Sequence, residues 1–335
     1  MKEITRQRVI LDCDPGNGVP ATDIDDGLAL GLLLTAPNIH LEAITIVSGN
    51  THRDVGYNVA RSMLNTVGAD VPVYPGAATA LIEPDAPWVT RRDSKRDNSS
   101  SQELWEDVTP PDTFNPEFSY TAGAELARRV AAKPGEIAVV AIGPLTNIAH
   151  AIQLHPGFAH DVRKLVIMGG AFHVSGYLQE LNFGIDPEAA RLVMSSGADI
   201  TLVPLDVTIK TTLLHEDLEA LRSATTPLAE YLAVTTAPWI TYCEAERGTV
   251  GCRLHDPLAA ALLIEPDLIT SERGSVDVQL HGLARSRPLF WRSEDVRLAA
   301  GIDLPSSPEV EVAREVDNER LVRLLQEYLT RSVTN

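Results

Sequence analysis

A short apolar run that ends in acids does most to limit the folds open to this chain. Val9-Ile10-Leu11 leads directly into Asp12-Cys13-Asp14-Pro15-Gly16, and nine residues later Asp25-Asp26 opens the apolar segment Gly27–Leu34. The first run reads as a buried strand that delivers carboxylates to its C-terminal edge, the second as a buried helix. Four carboxylates gathered this way repel one another unless a positive charge sits among them. Oxygen donors alone suit a hard divalent cation.

The same strand-then-helix pattern recurs along the first two-thirds of the chain. Strands are predicted at Val9–Leu11, Leu41–Val47, Ile137–Ile142, Lys164–Met168 and Ile200–Pro204. Helices are predicted between them, near Asp25–Leu34, Asp54–Val67, Ala122–Ala132, Asn147–Leu154 and Pro187–Ser195. Alternation of this kind implies parallel strands joined by right-handed helical crossovers. Residues 77–116, rich in Pro, Ser and charge, read as a long irregular loop. Further on, helices are expected at Leu218–Arg222, Leu228–Tyr242, Asp256–Leu263 and Asp317–Arg331, with one strand at Ser275–Leu280. No repeat or linker divides the chain. Residues 1–335 are therefore expected to form a single large α/β domain with a mostly parallel central sheet flanked by helices.

Charge narrows the function classes. The chain carries 46 acidic against 28 basic residues, a formal charge of −18. That balance argues against binding nucleic acid, which needs clustered Lys and Arg. The one basic cluster, Arg91-Arg92-Asp93-Ser94-Lys95-Arg96, reads as part of a solvated, mobile loop. Three cysteines, Cys13, Cys243 and Cys252, have no metal-knuckle spacing and fit a reducing compartment. Cys13, between two acids, reads as a packing residue because its thiolate is disfavoured there. The N-terminal residues are charged and no apolar run approaches membrane-spanning length, so the expectation is a soluble, cytoplasmic protein with no membrane contact.

In an open parallel sheet, ligands collect beyond the C-terminal ends of the strands. Five segments with polar residues fall on that edge: the acids already named, Ser48-Gly49-Asn50-Thr51, Gly143-Pro144-Leu145-Thr146-Asn147, Met168-Gly169-Gly170 leading to Glu180-Leu181-Asn182, and His255-Asp256-Pro257. Each has a structural reading as well. Thr146-Asn147 and Asp256-Pro257 look like helix starts, and Gly169-Gly170 like a turn.

Together these five ordered motifs resemble the inosine–uridine preferring nucleoside hydrolase family, whose Asp-x-Asp-Pro-Gly-x-Asp-Asp signature is matched by Asp12, Asp14, Pro15, Gly16, Asp25 and Asp26. The resemblance implies a hydrolase that cleaves the N-glycosidic bond of a ribonucleoside to free base and ribose. It further implies a Ca²⁺ ion held by Asp14, Asp26, Asp256 and the Ile142 carbonyl, with Asp14 taking a proton from the ion's water. Asp25, Asn50, Met168, Glu180 and Asn182 would bind the ribose, Asp12 would orient its neighbours, and His255 would protonate the leaving base. A homo-oligomer, dimer or tetramer, is implied too. Three departures stand out: seven residues, Gly18–Ile24, are inserted within the signature; the segment Thr90–Leu104 lacks the histidine that many members carry; and no asparagine stands at the expected place after Met168, where Gly176 or a neighbour lies instead, which bears on contacts to the ribose 5′-hydroxyl.

Trp239 and Tyr242, one helical turn apart, are expected either to form an aromatic wall against the base or to pack in the core. Two other functions compete. A phosphatase of the haloacid-dehalogenase kind also places Asp-x-Asp after a first strand, but gives Asp25-Asp26 and His255-Asp256 no role. A calcium-dependent riboside binder without turnover would keep the same acids.

Overall fold

The computed structural model describes residues 6–82, 86–96, 99–116, 119–296 and 307–333. Nine strands form one sheet: β1 (Gln7–Cys13), β2 (Ile39–Ile46), β3 (Val73–Pro75), β4 (Ile137–Ala141), β5 (Lys164–Met168), β6 (Ile200–Val203), β7 (Ile269–Val278), β8 (Pro288–Trp291) and β9 (Glu309–Val316), in the order β3-β2-β1-β4-β5-β6-β9-β7-β8. Pairing is parallel from β3 through β9. Only β7 is reversed, antiparallel to β9 on one side and to β8 on the other. This is the mostly parallel α/β sheet flanked by helices that the alternation predicts.

The strands are apolar on both faces because helices cover both. Val9 and Leu11 point into one core with Leu28, Leu32 and Leu258, while Ile10 points into the other with Val139, Ile148 and Phe158. The helix Asp25–Thr35 is buried along its whole length, as its unbroken Leu and Ala content requires. Register is irregular at one place: Val9 faces Leu41 but Ile10 faces Ala43, so Glu42 is the extra residue of a bulge.

Three strands escape the sequence reading. β3 and β8 are three and four residues long. β9 alternates as Glu-Val-Glu-Val and inserts beside β6, so the tail joins the main sheet. The expected loop at 77–116 is a correction. It contains the helices Ala86–Arg96 and Ser99–Leu104, the first carrying the basic cluster; residues 83–85 and 97–98 of that span, like residues 1–5, lie outside the described ones. Arg92 is half-buried, its guanidinium donating to the Gly49 carbonyl at 3.4 Å. Among the described residues no helix is long and apolar enough to cross a membrane.

Candidate active site

The chain runs β1, β2, β3 outward and returns to β4 beside β1. That reversal opens a crevice at the C-terminal ends of β1 and β4, the place where α/β sheets bind ligands. Asp12 and Asp14 leave β1 there, Ile142 follows β4, and Asp25 and Asp26 form the first turn of the next helix. From far along the chain the helix His255–Ala261 brings Asp256 to the same point. Its backbone N–H donates to Asp25 Oδ2 at 2.9 Å.

Asp25, Asp26 and Asp256 each offer a carboxylate oxygen, and these oxygens lie within 4.8 Å of one another. Asp14 adjoins them: its N–H donates to Asp26 Oδ1 at 2.9 Å, and its own Oδ2 accepts from the Asn50 N–H at 2.5 Å. Two glycines make room for it. A Cβ on Gly49 would come 2.0 Å from Asp14 Oδ2, and one on Gly143 3.1 Å from Oδ1. Any side chain at Gly49 would displace the carboxylate.

All four acids are buried, and burial is the main force on their protons. It pushes Asp14 up to about 7, and drives Asp25, Asp26 and Asp256 well above the ordinary carboxylate range, with their mutual charge adding to the effect. The N-terminus of the helix Asp25–Thr35 favours nearby anions by roughly 0.3–1 kcal/mol. Two carboxylates about 4 Å apart repel by roughly 4 kcal/mol at an effective dielectric near 20, so the helix cannot hold the group ionised. Among the described residues none of the four has a Lys or Arg within ion-pair distance. Oxygens on one Ca²⁺-sized ion sit about 2.3–2.6 Å from it and hence up to roughly 5 Å apart. The carboxylate group meets that condition and can hold a metal ion.

Around this group the polar residues are tied to the scaffold. Asp12 Oδ1 accepts from Thr45 Oγ1 at 2.6 Å and Asn147 Nδ2 at 2.8 Å; burial raises its pKa to about 7. Asn147 also donates to the Ile46 carbonyl, so one carboxamide joins the ends of β1 and β2. The Asn182 amide donates to the carbonyls of Ile142 at 2.8 Å and Met168 at 3.1 Å. Glu180 caps its own helix, accepting from the N–H groups of Gly170, Asn182 and Phe183. Asn50 grips the inserted loop: its side chain accepts from Asp23 N–H at 3.3 Å and donates to the Asp23 carbonyl at 3.0 Å. The insertion is packed into the protein, with Val19, Thr22 and Ile24 buried.

His255 Nδ1 lies 2.7 Å from the Thr208 hydroxyl, and burial lowers the ring's pKa to about 4, so it is neutral at pH 7. Trp239 and Tyr242 take the packing alternative. Their rings stack on each other at 5.4 Å, Trp105 meets Tyr242 edge-on, and Arg247 lies 4.4 Å over Trp239. Trp239 is fully buried and offers no face to a base. Arg247 also reaches Asp23 at 3.9 Å, a link between the insertion and the helix Pro227–Arg247 that no sequence pattern signals. The phosphatase alternative is left without its lysine, since among the described residues no lysine pairs with Asp12 or Asp14.

Comparison with known proteins agrees with this geometry. A probable uridine nucleosidase of Arabidopsis thaliana is 31% identical over 332 residues, 98% of each chain. The pyrimidine-specific ribonucleoside hydrolase RihA of Escherichia coli K12 is 33% identical over 279 residues, 82% of this chain and 85% of that one. Among solved structures, a plant nucleoside hydrolase superposes with a TM-score of 0.81 at 32% identity, covering 97% of this chain and 99% of its own. A purine-preferring ribonucleoside hydrolase from Gardnerella vaginalis gives 0.79 at 26%, covering 97% and 98%. The sequence profile described as inosine-uridine preferring nucleoside hydrolase matches residues 9–323, from within β1 to the last helix, and the chain belongs to that family.

Proposed function

We infer that this nucleoside hydrolase cleaves the N-glycosidic bond of ribonucleosides with a Ca²⁺ ion at the carboxylate group. The observation that carries the reading is the meeting of Asp25, Asp26 and Asp256 beside Asp14 without a compensating cationic side chain. Asp14, Asp26, Asp256 and the Ile142 carbonyl would hold the ion. That carbonyl already accepts from Asn182 and has a second lone pair to give. When bound, the ion would supply charge that gathers the ribose 2′- and 3′-hydroxyls and makes a nearby water more acidic.

The residues would share the rest of the work. Asp14, kept ionised, accepts one proton from the attacking water. The water oxygen bonds to C1′ as the C1′–N bond breaks, and its electron pair leaves with the base. The base takes up one proton, so riboside plus water gives ribose plus free base. Positive charge grows on the ribose ring during this change, and the surrounding carboxylates stabilise it. Asp25 would face the ribose hydroxyls, as would Glu180, Asn182 and Met168 along the wall after β5, with Asn50 opposite. Asp12 would orient its neighbours through Thr45 and Asn147. His255, neutral at pH 7, would hydrogen-bond the departing base through Nε2–H, and the base would take its proton from solvent, to which Asp14 returns the one it accepted.

Relatives named for uridine or pyrimidine ribosides favour a pyrimidine riboside as substrate. Purified protein with Ca²⁺ should release reducing sugar from uridine faster than from inosine, and Asp14→Ala should lose that activity. No release from any purine, pyrimidine or nicotinamide riboside would sink the proposal. Two further expectations accompany it. The buried, unpaired cysteines suit a cytoplasmic setting. The chain is also expected to self-associate, which light scattering at the monomer mass would refute.

A further inference from the structure

Thr208 ends the short helix Leu205–Thr208, which follows β6 directly after Pro204. It is fully buried, and its hydroxyl lies 2.7 Å from His255 Nδ1. A buried hydroxyl has one hydrogen to place, and leaving it unpaired costs about 1–3 kcal/mol. Among the described residues Nδ1 is the one partner of this hydroxyl. Donation from Thr208 Oγ1 to Nδ1 satisfies both atoms. A neutral imidazole whose Nδ1 accepts carries its proton on Nε2, and Nε2 makes no hydrogen bond to any described residue. Thr211 braces the same unit: its hydroxyl donates to the Thr208 carbonyl at 2.7 Å and accepts from the Leu254 N–H at 2.8 Å. The residue before His255 and the ring of His255 are thus both anchored to the end of one helix.

We propose that Thr208 is a positioning residue of the leaving-group step, fixing the plane and tautomer of His255 so that its Nε2–H is free to hydrogen-bond the departing base and stabilise the electron pair it carries away, the base's proton coming from solvent water. This rests on the reading of His255 as the group that meets the base. The role differs from mere packing because it needs the hydroxyl and not only the volume of the side chain. Thr208→Val keeps the shape and removes the donor; Thr208→Ser keeps the donor.

The test uses metal-loaded enzyme, uridine, and a nitrophenyl riboside whose phenolate leaves without a proton. Thr208→Val should lower kcat on uridine by roughly 10- to 100-fold with little change in KM, yet stay within about twofold on the nitrophenyl riboside. Thr208→Ser should restore uridine turnover. Imidazole ¹⁵N NMR gives a readout independent of turnover: one Nε2–H tautomer in the parent protein, a mixture in Thr208→Val. Equal loss on both substrates, no loss on uridine, or an unchanged tautomer would overturn the assignment. If Thr208→Val does not fold, Thr208→Ala against Thr208→Ser, two small side chains that differ by the hydroxyl, carries the comparison. His255→Asn separates the two levels. Full uridine turnover in that variant removes the role of His255 itself, whereas a loss there without a loss in Thr208→Val removes only the role of Thr208.

Discussion

Glu42 on β2 is buried among cations, whereas Asp25, Asp26 and Asp256 at the C-terminal edge of the same sheet are buried among one another. Arg8 pairs with Glu42, Arg129 lies 3.5 Å and Lys133 2.9 Å from it. Burial alone would raise the Glu42 pKa. Its hydrogen bond to Lys133 and the charge of Arg8 overcome that and hold it below the ordinary range. The aspartates have no such partners, and their pKa values move the other way. A buried carboxylate whose charge is balanced from within serves the fold. A set left unbalanced is a receptor for a cation from outside.

The largest effect expected from this contrast is on turnover. Asp26→Ala should lower kcat/KM on uridine by about 10²–10³-fold or more, while Glu42→Ala should leave it near the parent value in steady-state assays. Comparable losses in both would erase the distinction.

Next comes metal removal. Chelation should lower the thermal midpoint, and Ca²⁺ at about a thousandfold over Kd should return roughly 4 kcal/mol of stability. Asp256→Ala should flatten that response in calorimetry and Glu42→Ala should not.

The pH dependence sharpens the contrast further. In metal-free protein the site acids have folded pKa values above their unfolded ones, so as pH rises the unfolded chain ionises first. Their contribution is complete below the ordinary value of 3.8 and is lost as pH climbs through about 7, the value for Asp12 and Asp14. Glu42 runs in the opposite sense: its contribution is present above 4.5 and lost as pH falls through its lowered value. Chelated protein should therefore be less stable at pH 8 than at pH 5.5, and Ca²⁺ should reverse the order. A metal-free midpoint that rises across this range would contradict the assignment.

The smallest effect is that of Glu42→Gln on stability. Its partners are part-exposed, so a cost of about 1–2 kcal/mol in denaturant unfolding is expected. A cost above that of losing Ca²⁺ would invert the comparison.

The parts of this architecture that were legible in the sequence are those where local chemistry and tertiary role coincide. Lys164–Met168 is read as a strand at its observed bounds because Leu165–Met168 is an unbroken apolar run closed by Gly169-Gly170. Asp14, Asp26 and Asp256 were found as acids at element ends. The helix Ala86–Arg96 was not, since its stability comes from contacts outside the segment; the Trp88 ring, for instance, occupies the space beside Gly184. β9 carries a clear two-residue alternation, but its place beside β6 depends on a pairing more than a hundred residues away. Asp23 and Thr208 had no local signal at all. Their significance lies in what they touch, Arg247 and His255, and spacing along the chain does not encode that.

The placement of β9 has a consequence for how the molecule is made. β6 is joined to the rest of the sheet on that side only through Thr201 and Leu202 against Glu311 and Val312. During synthesis, every strand from β1 to β6 leaves the ribosome more than a hundred residues before β9 does. Until then β6 is an open border, with its unpaired amides available to any passing extended segment. A message broken before codon 309 would yield a chain that keeps every acid of the candidate site and lacks the seam that covers the edge of β6.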